Sequence, residues 1–581
     1  MKQFLKFTLA TILGVLIASV LSTLLFFGII GAIAGSSEKV TELSDNSVYE
    51  LELKGVLIER SEDNPFRAAF AEAFGNETEN VIGLDDVLQN IKKAKEDENV
   101  KGIFLKGGTL SGGYASIKEI RNALNDFKNS GKFIVAYADN YMQSNYYLAS
   151  VANKVLINPQ GMLDLKGLSA ELMFFKGTLD KLGIDMQVVK VGTYKSAVEP
   201  YITTKMSDAN REQVSVFLGS IWKNMVADIA KDRKLTPALL NTYADELMTF
   251  QSADVYKKYA LVDSLVYADE VDSIVSKYCK DYTLVSHADM LNVPADEKFE
   301  KDKVGIIYAT GAIDGGDSEG IDSEDLVETI NEVAADSSIK AVVFRVNSPG
   351  GSAYGSEQIW RAVSLLKAKK PVVVSMGDYA ASGGYYISSV ASAIVAQPTT
   401  ITGSIGIFGL IPNIDGLNKK IGLTYDGVKT NKMGDAISVN RPFSAEERAM
   451  MQAYVNRGYE LFVKRCADGR KMHVDSIKAI AEGRVWTGED ALKRGLVDRL
   501  GGLSEALKLA VDKAKLKNYM VKEYPVKEDF FTKLMKDLDT SVSTRFMKGQ
   551  LGEDYVLFKK VNEIRSMSGI QARIPFEFEV K

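Results

Sequence analysis

From Phe7 through Ser37 the chain runs 31 positions without a charged residue, rich in Leu, Ile, Val and Phe. About 20 apolar residues cross a bilayer as a helix, and a secretory apolar region is shorter, roughly 7–15 residues. The run therefore predicts an uncleaved signal anchor, residues 1–40, with a transmembrane helix over about 7–35. Ala32-Ile33-Ala34 is a weak cleavage signal within it. Lys2 and Lys6 precede the run and Glu38 follows it. The positive-inside bias then sets the N-terminus in the cytoplasm and the body outside it. Beyond the run the period changes. Val48 to Val56 alternates and is rich in β-formers, as a strand is. Leu84 to Ala94 has helical spacing, Val100 to Leu105 is a short apolar strand, and Gly107-Gly108 and Gly112-Gly113 open a loop. Ile117 to Phe127 is helical and Phe133 to Ala138 is a buried strand. Strands alternating with helices predict βαβ units and a mainly parallel sheet.

This pattern occurs twice. A shift of 239 brings the halves into register without gaps for about 100 residues. Asp86 falls on Asp325, Lys101 on Lys340, Ile120 on Ile359 and Asp139 on Asp378. Tyr146 through Ala152 falls on Tyr385 through Ala391, and Pro159, Gly167 and Gly183 fall on Pro398, Gly406 and Gly422. The chain thus divides into a first α/β copy at 41–300, a second at 301–520 and an extension at 521–581. The join near Ala288 to Lys303 is charged and holds Pro294. In the extension, Asp529 to Leu538 and Tyr555 to Ile564 have helical spacing, and Arg573 to Val580 alternates like a strand.

Composition narrows the chemistry. The 581 residues allow several domains at roughly 150 residues each, and 46% hydrophobic with 25% charged residues is ordinary globular content. A net charge of −5 without a basic stripe argues against nucleic acid as a partner. Two cysteines, Cys279 and Cys466, make no metal-binding pattern and leave one disulfide open. There are only two histidines, His287 and His473, so Lys, Asp or Glu must be weighed early as the general base.

Two stretches carry candidate chemistry. Gly377 through Tyr386 holds Ser382 between the strand Val372 to Met376 and the apolar helix Tyr385 to Ala393. A hydroxyl there stands at a helix N-terminus, where free N–H groups favour developing negative charge. The plain alternative is a tightly packed strand–helix turn. Gly192 through Pro200 holds Lys195 among Val191, Tyr194, Ala197 and Val198. An amine is a base near neutral pH only when desolvated; otherwise Lys195 is a solvated surface lysine. Ser382 aligns with Gln143, and Lys195 with Gly434, so each copy lacks what the other has. Asn347-Ser348-Pro349-Gly350-Gly351 follows the strand Ala341 to Val346; it is either a bare turn or, with the N–H of Gly383, an oxyanion hole. Gly316-Asp317-Ser318-Glu319-Gly320 fits an esterase pattern, but its acidic setting and the lack of a following helix mark it as a chance match.

Together these motifs, with Thr402-Gly403-Ser404-Ile405-Gly406 and Gly483-Arg484-Val485-Trp486-Thr487-Gly488, resemble the signal peptide peptidase A family in its long, duplicated, membrane-anchored form. The resemblance covers essentially the whole body. It implies an α/β fold of tandem crotonase-like domains, related to the caseinolytic protease. It also implies a cofactor-free serine–lysine peptidase that degrades released signal peptides. By motif, Ser382 is the nucleophile, Lys195 the base, Ser404 the residue that orients Lys195, and Gly351 and Gly383 the oxyanion candidates. The resemblance further implies a homotetramer on the inner (cytoplasmic) membrane, its catalytic body periplasmic, with peptides as partners. Two other classes stay open: an acyl-thioester enzyme on the same fold, against which the export anchor argues, and a non-catalytic membrane scaffold or peptide-binding module.

Overall fold

The computed structural model describes residues 6–8, 11, 13–21, 40–61, 81–294, 299–315, 320–527 and 570–573. The apolar run 7–37, the esterase-like loop at 316–319 and both helices expected in the extension fall largely or wholly outside them. Among the described residues no helix is long and apolar enough to cross a membrane.

The first copy builds a seven-stranded parallel sheet. Its order is β2 (Val81–Gly83), β1 (Ser47–Ile58), β3 (Val100–Ser111), β4 (Phe133–Ala138), β5 (Lys154–Ile157) and β7 (Ser264–Leu265), with β8 (Thr283–Val285) also on β1. The second copy builds an eight-stranded sheet. Its order is β16 (Val485–Thr487), β14 (Ile401–Gly403), β12 (Val372–Ala381), β10 (Ile339–Ser348), β9 (Lys303–Thr310) and β18 (Met520–Tyr524), with β13 (Ala393–Ala396) linking β12 to β17 (Arg499–Leu500). Only β14–β16 is antiparallel there. Both sheets are covered by helices, so central strands such as β4 are buried on both faces and read as unbroken apolar runs. Helix Leu84–Glu96 shows why helices form where they do: Leu84, Val87, Ile91 and Ala94 recur at steps of three and four and all turn inward.

A third, antiparallel sheet draws on three parts of the chain. Its order is β11 (Gly350–Ser352), β19 (Ile570–Arg573), β15 (Phe408–Asn413) and β6 (Asp185–Lys190). It joins the first copy to the second and draws in the extension.

Several expectations shift. β3 continues through Gly107-Gly108 to Ser111 instead of ending at Leu105, because it stays paired with β1 beyond a register shift at Leu53/Gly55. β12 runs on to Ala381 because β14 takes over its edge at Tyr379. The helix after Ser382 is short, Gly383–Ser388. Ser388 and Ser389 bond back to Gly384 and Tyr386, competing with the helix ladder, and the chain then enters β13. Of the strand expected at 573–580, Arg573 closes β19 and the rest lies outside the described residues.

The 239 shift also ends earlier than assumed. It relates helix Leu84–Glu96 to Ser323–Ala335 and helix Lys176–Leu182 to Asp415–Lys420. Helices Asp208–Arg233 and Ala445–Arg470, each 26 residues, are instead 237 apart. Two residues are therefore lost in the second copy between Lys429 and Ser444. Counted back from the helices, Lys432 falls opposite Lys195; counted forward by 239, Gly434 does. Lys432 is exposed and paired with Glu446.

Candidate active site

Ser382 sits at the tip of β12, where the chain turns sharply into helix Gly383–Ser388, with φ 54 and ψ −114. A non-glycine residue rarely adopts a positive φ, and such conformations collect at functional sites. The turn is held by Ser382 N–H donating to the Gly403 carbonyl at 2.8 Å. Ser404 follows β14 at φ 52, and its N–H donates to the Arg484 carbonyl at 2.7 Å.

Lys195 arrives from the other copy. β6 pairs with β15 along its whole length, and the chain beyond continues along the second copy: Val191 N–H donates to the Ile407 carbonyl and Tyr194 N–H to the Glu482 carbonyl. Gly192, at φ 105, passes so near Glu482 that a Cβ there would lie 2.4 Å from its carbonyl. Gln213 then ties the crossing down. Its amide donates to the Tyr194 carbonyl and Ser196 Oγ and accepts from Val485 N–H. Glu199, the acid of the same motif, is buried and accepts from Ser207 and Asn210 at the start of helix Asp208–Arg233.

The result is a buried constellation. Lys195 Nζ lies 2.7 Å from Ser382 Oγ, 3.1 Å from Ser404 Oγ and 3.2 Å from the Ser404 carbonyl oxygen. Lys195 and Ser382 are fully buried and Ser404 nearly so. Burial alone pushes the Lys195 amine well below its ordinary value. The contacts suit a neutral amine, which has two N–H donors and one lone pair. Ser404 Oγ spends its own proton on the Gly483 carbonyl, so it accepts from Lys195, as the Ser404 carbonyl does. The lone pair is left facing the Ser382 hydroxyl.

Next to Ser382 lies a strand-shaped slot between β11 and β15, filled by β19 of the chain's own extension. Gly351 is the register partner of Ala572, and Ala572 is fully buried. A Cβ on Gly350 would stand 2.0 Å from the Ala572 carbonyl oxygen and 2.7 Å from Gly383 N; one on Gly383 would stand 3.1 Å from that oxygen. One carbonyl thus sits against the glycines beside the nucleophile. Gly351 and Gly383 both lie at this spot. Gly350, read from the sequence as part of the Asn347–Gly351 turn but not as one of the two oxyanion candidates, is the closest approach.

Sequence reasoning also missed the charges that lock the copies together. Arg345 is fully buried on β10, bonded to Glu59 at 2.8 Å and Glu119 at 2.7 Å, both from the first copy. Asn347 donates to Glu59 and accepts from Tyr379 N–H. Asp378, four residues before Ser382, accepts from Ala115 N–H, Ser116 N–H and Ser116 Oγ at the start of helix Tyr114–Asn129. Burial raises the Asp378 and Glu119 carboxyls above their usual range. In the first copy, Gln143 takes the serine's place and is spent on Lys166, Gly167 and Tyr114. The histidines serve elsewhere: His287 bonds Tyr49 and Asn90, and His473 caps helix Val474–Ile480. Both cysteines are free and buried.

The peptidase family S49 model matches residues 126–279 and again 364–517. Protease 4 of Salmonella typhi is 38% identical over 512 residues, covering 85% of this chain and 82% of that protein. Protease 4 of Haemophilus influenzae is 34% identical, covering 84% and 82%. The chloroplastic serine protease SPPA of Arabidopsis thaliana is 32% identical, covering 85% and 74%. Among solved structures, a ClpP1 mutant from Listeria monocytogenes overlays 35% of this chain and 94% of its own at 14% identity, with a TM-score of 0.25.

Proposed function

The chain belongs to peptidase family S49 and is a serine protease, and on that footing we propose that Ser382 and Lys195 are its catalytic dyad and that released signal peptides are its substrates. One observation carries the reading: a hydroxyl and an amine, both fully buried, lie 2.7 Å apart, and burial holds the amine below its ordinary value.

The mechanism follows from the contacts. A peptide enters the slot between β11 and β15 as a strand, with its scissile carbonyl where the Ala572 carbonyl now lies. The Lys195 lone pair takes the Ser382 proton as Oγ bonds to the carbonyl carbon. Backbone N–H groups at Gly351 and Gly383 stabilise the oxyanion. The C–N bond breaks, and Lys195 gives its proton to the leaving amine. Water then adds to the acyl-enzyme, passing one proton to Lys195, which returns it to Ser382 Oγ as the carboxylic acid product leaves and loses its remaining proton to solvent. Ser404 holds the amine in place throughout. No cofactor is called for. An apolar substrate suits this chemistry, since a site it fills stays dry and its lysine stays neutral. An anchor over about 7–35, a body outside the cytoplasm and assembly as a homotetramer complete the proposal.

The test is hydrolysis of a fluorogenic apolar peptide by the full chain in detergent, beside Ser382→Ala and Lys195→Ala, each checked for folding. Both variants should lose at least about 10⁴-fold in kcat, as members of a catalytic unit do. Activity that survives Lys195→Ala would remove the proposed base.

A further inference from the structure

Arg484 reaches both of the loops that bring Lys195 and Ser404 together. Its backbone holds one: the Arg484 carbonyl accepts from Ser404 N–H at 2.7 Å. Its side chain holds the other. The guanidinium lies 4.5 Å from the centre of the Tyr194 ring, donates to Tyr194 Oη at 2.9 Å and pairs with Glu212 Oε1 at 2.7 Å. Tyr194 Oη donates in turn to Glu212 Oε2 at 3.1 Å. Three side chains thus close a ring one residue before Lys195. The Trp486 ring flanks the guanidinium at 4.6 Å.

The duplicate turn in the first copy shows what the arginine is not for. Helices Ala253–Lys258 and Gly488–Lys493 are 235 apart, and so are Leu247 and Glu482, at φ 52 and φ 53. The same left-handed turn therefore forms twice. At that step Thr249 stands where Arg484 does, and Met248 where Gly483 does. Thr249 is spent on Asp164, and Met248 is buried. The turn takes its shape without an arginine. The arginine occurs only where a lysine loop crosses the turn, and so does the glycine: a Cβ on Gly483 would stand 2.6 Å from Lys195 Cβ.

We propose that Arg484 is a positioning residue for the dyad: by clasping Tyr194 and Glu212 it presses the Lys195 loop against the Ser404 loop, which sets the distance from Nζ to Ser382 Oγ and keeps water from the amine. This rests on the proposed dyad of Ser382 and Lys195. Burial alone lowers the Lys195 amine, so Arg484 acts on it through position and not through its field. Arginine suits the task, because its planar fork stacks on aromatic rings and bonds two partners at once. The Glu212 side chain is half exposed, so the clasp closes from the solvent side.

The test is the kcat, KM and pH profile of Arg484→Met, measured on the full chain in detergent with the fluorogenic apolar peptide. A fall in kcat of about 10²-fold with KM within about twofold is expected, since a small misplacement of a reacting group costs that much. The rising limb of kcat/KM should move to higher pH, because water that reaches the loosened amine returns it towards 10.5. Tyr194→Phe keeps the ring and removes the hydroxyl, so it should give a smaller shift in the same direction. Arg484→Lys keeps the charge but not the fork, so it should recover only part of kcat. Arg494 also lies on the Trp486 ring, at 3.6 Å, and donates to the Asp490 carbonyl. Arg494→Met should leave both kcat and the limb unchanged.

An unshifted limb in folded Arg484→Met overturns the proposal. So does an equal effect from Arg494→Met, which would assign the loss to the packing of Trp486. Should Arg484→Met fail to fold, Tyr194→Phe decides: an unchanged limb there overturns the clasp. Activity that survives Lys195→Ala removes the dyad and the clasp with it. An inactive Lys195→Ala beside an unaltered Arg484→Met removes the clasp alone.

Discussion

The proposed site keeps one amine dry. Lys195 has two acceptors for its N–H groups and the Ser382 hydroxyl for its lone pair. Protonation would place an uncompensated charge in a buried site. Activity should therefore rise with pH through a single ionisation lying well below the ordinary lysine value of 10.5, because only the neutral amine accepts the serine proton. A kcat/KM profile that keeps rising up to 10.5 would contradict this. The same group is a liability for stability. Between its lowered folded value and 10.5 the unfolded chain binds the proton and the folded chain does not, so stability rises with pH across that window. Lys195→Met should thus raise the melting temperature at pH 7, with the gain shrinking as pH approaches 10.5, while activity is lost. Ser404→Ala removes one hydrogen bond worth about 1–1.5 kcal/mol, so kcat should fall by about tenfold at similar KM. An unchanged kcat would deny Ser404 its orienting role.

The short strand β19 sits where a substrate strand would sit. It is paired with β11 on one side and β15 on the other, with Ala572 fully buried between them. Main-chain pairing supplies affinity in this mode, and pockets for alternate side chains supply selection. A tethered occupant competes at an effective concentration on the order of mM. Truncation after residue 569 should therefore lower KM for short peptides with kcat unchanged. An unchanged KM would mean that β19 leaves the slot without cost. The small side chain of Ala572 also sets an expectation for cleavage, that peptides with a small residue before the scissile bond are turned over fastest.

Across the whole molecule, the proposed dyad depends on how the two copies are held. Lys195 and Ser382 lie 187 residues apart in sequence and meet because β6 crosses to β15. The crossing is backed by the Arg345–Glu59–Glu119 cluster and by Asp378 on the helix at Tyr114. A buried ion pair adds little net stability, but removing one partner leaves an uncompensated charge. Arg345→Met should cost about 3–5 kcal/mol in urea unfolding. The loss should grow as pH rises through the raised value of Glu119, whose ionised form the arginine offsets. A loss under about 1 kcal/mol would show that the copies hold together without it.

The alternation of apolar strands and amphipathic helices, and its repetition 239 residues later, was sufficient to predict two α/β copies, because side-chain periodicity reports burial locally. Ser382 was legible for the same reason: a serine and two glycines between an apolar strand and helix mark a local turn. The burial of Lys195 was not legible, because the groups packed against it, Ser404, Gly406 and Gly483, come from the far half of the chain. Equally hidden were the single charges Glu59, Glu119 and Arg345, each an ordinary polar residue in its own neighbourhood. The extension gave no functional signal at all, since its strand acquires meaning only from β11 and β15. Sequence pattern fixes what each segment buries, because that is set by near neighbours. Which buried groups face one another across 187 residues is set by packing, and in this protein the packing makes the site.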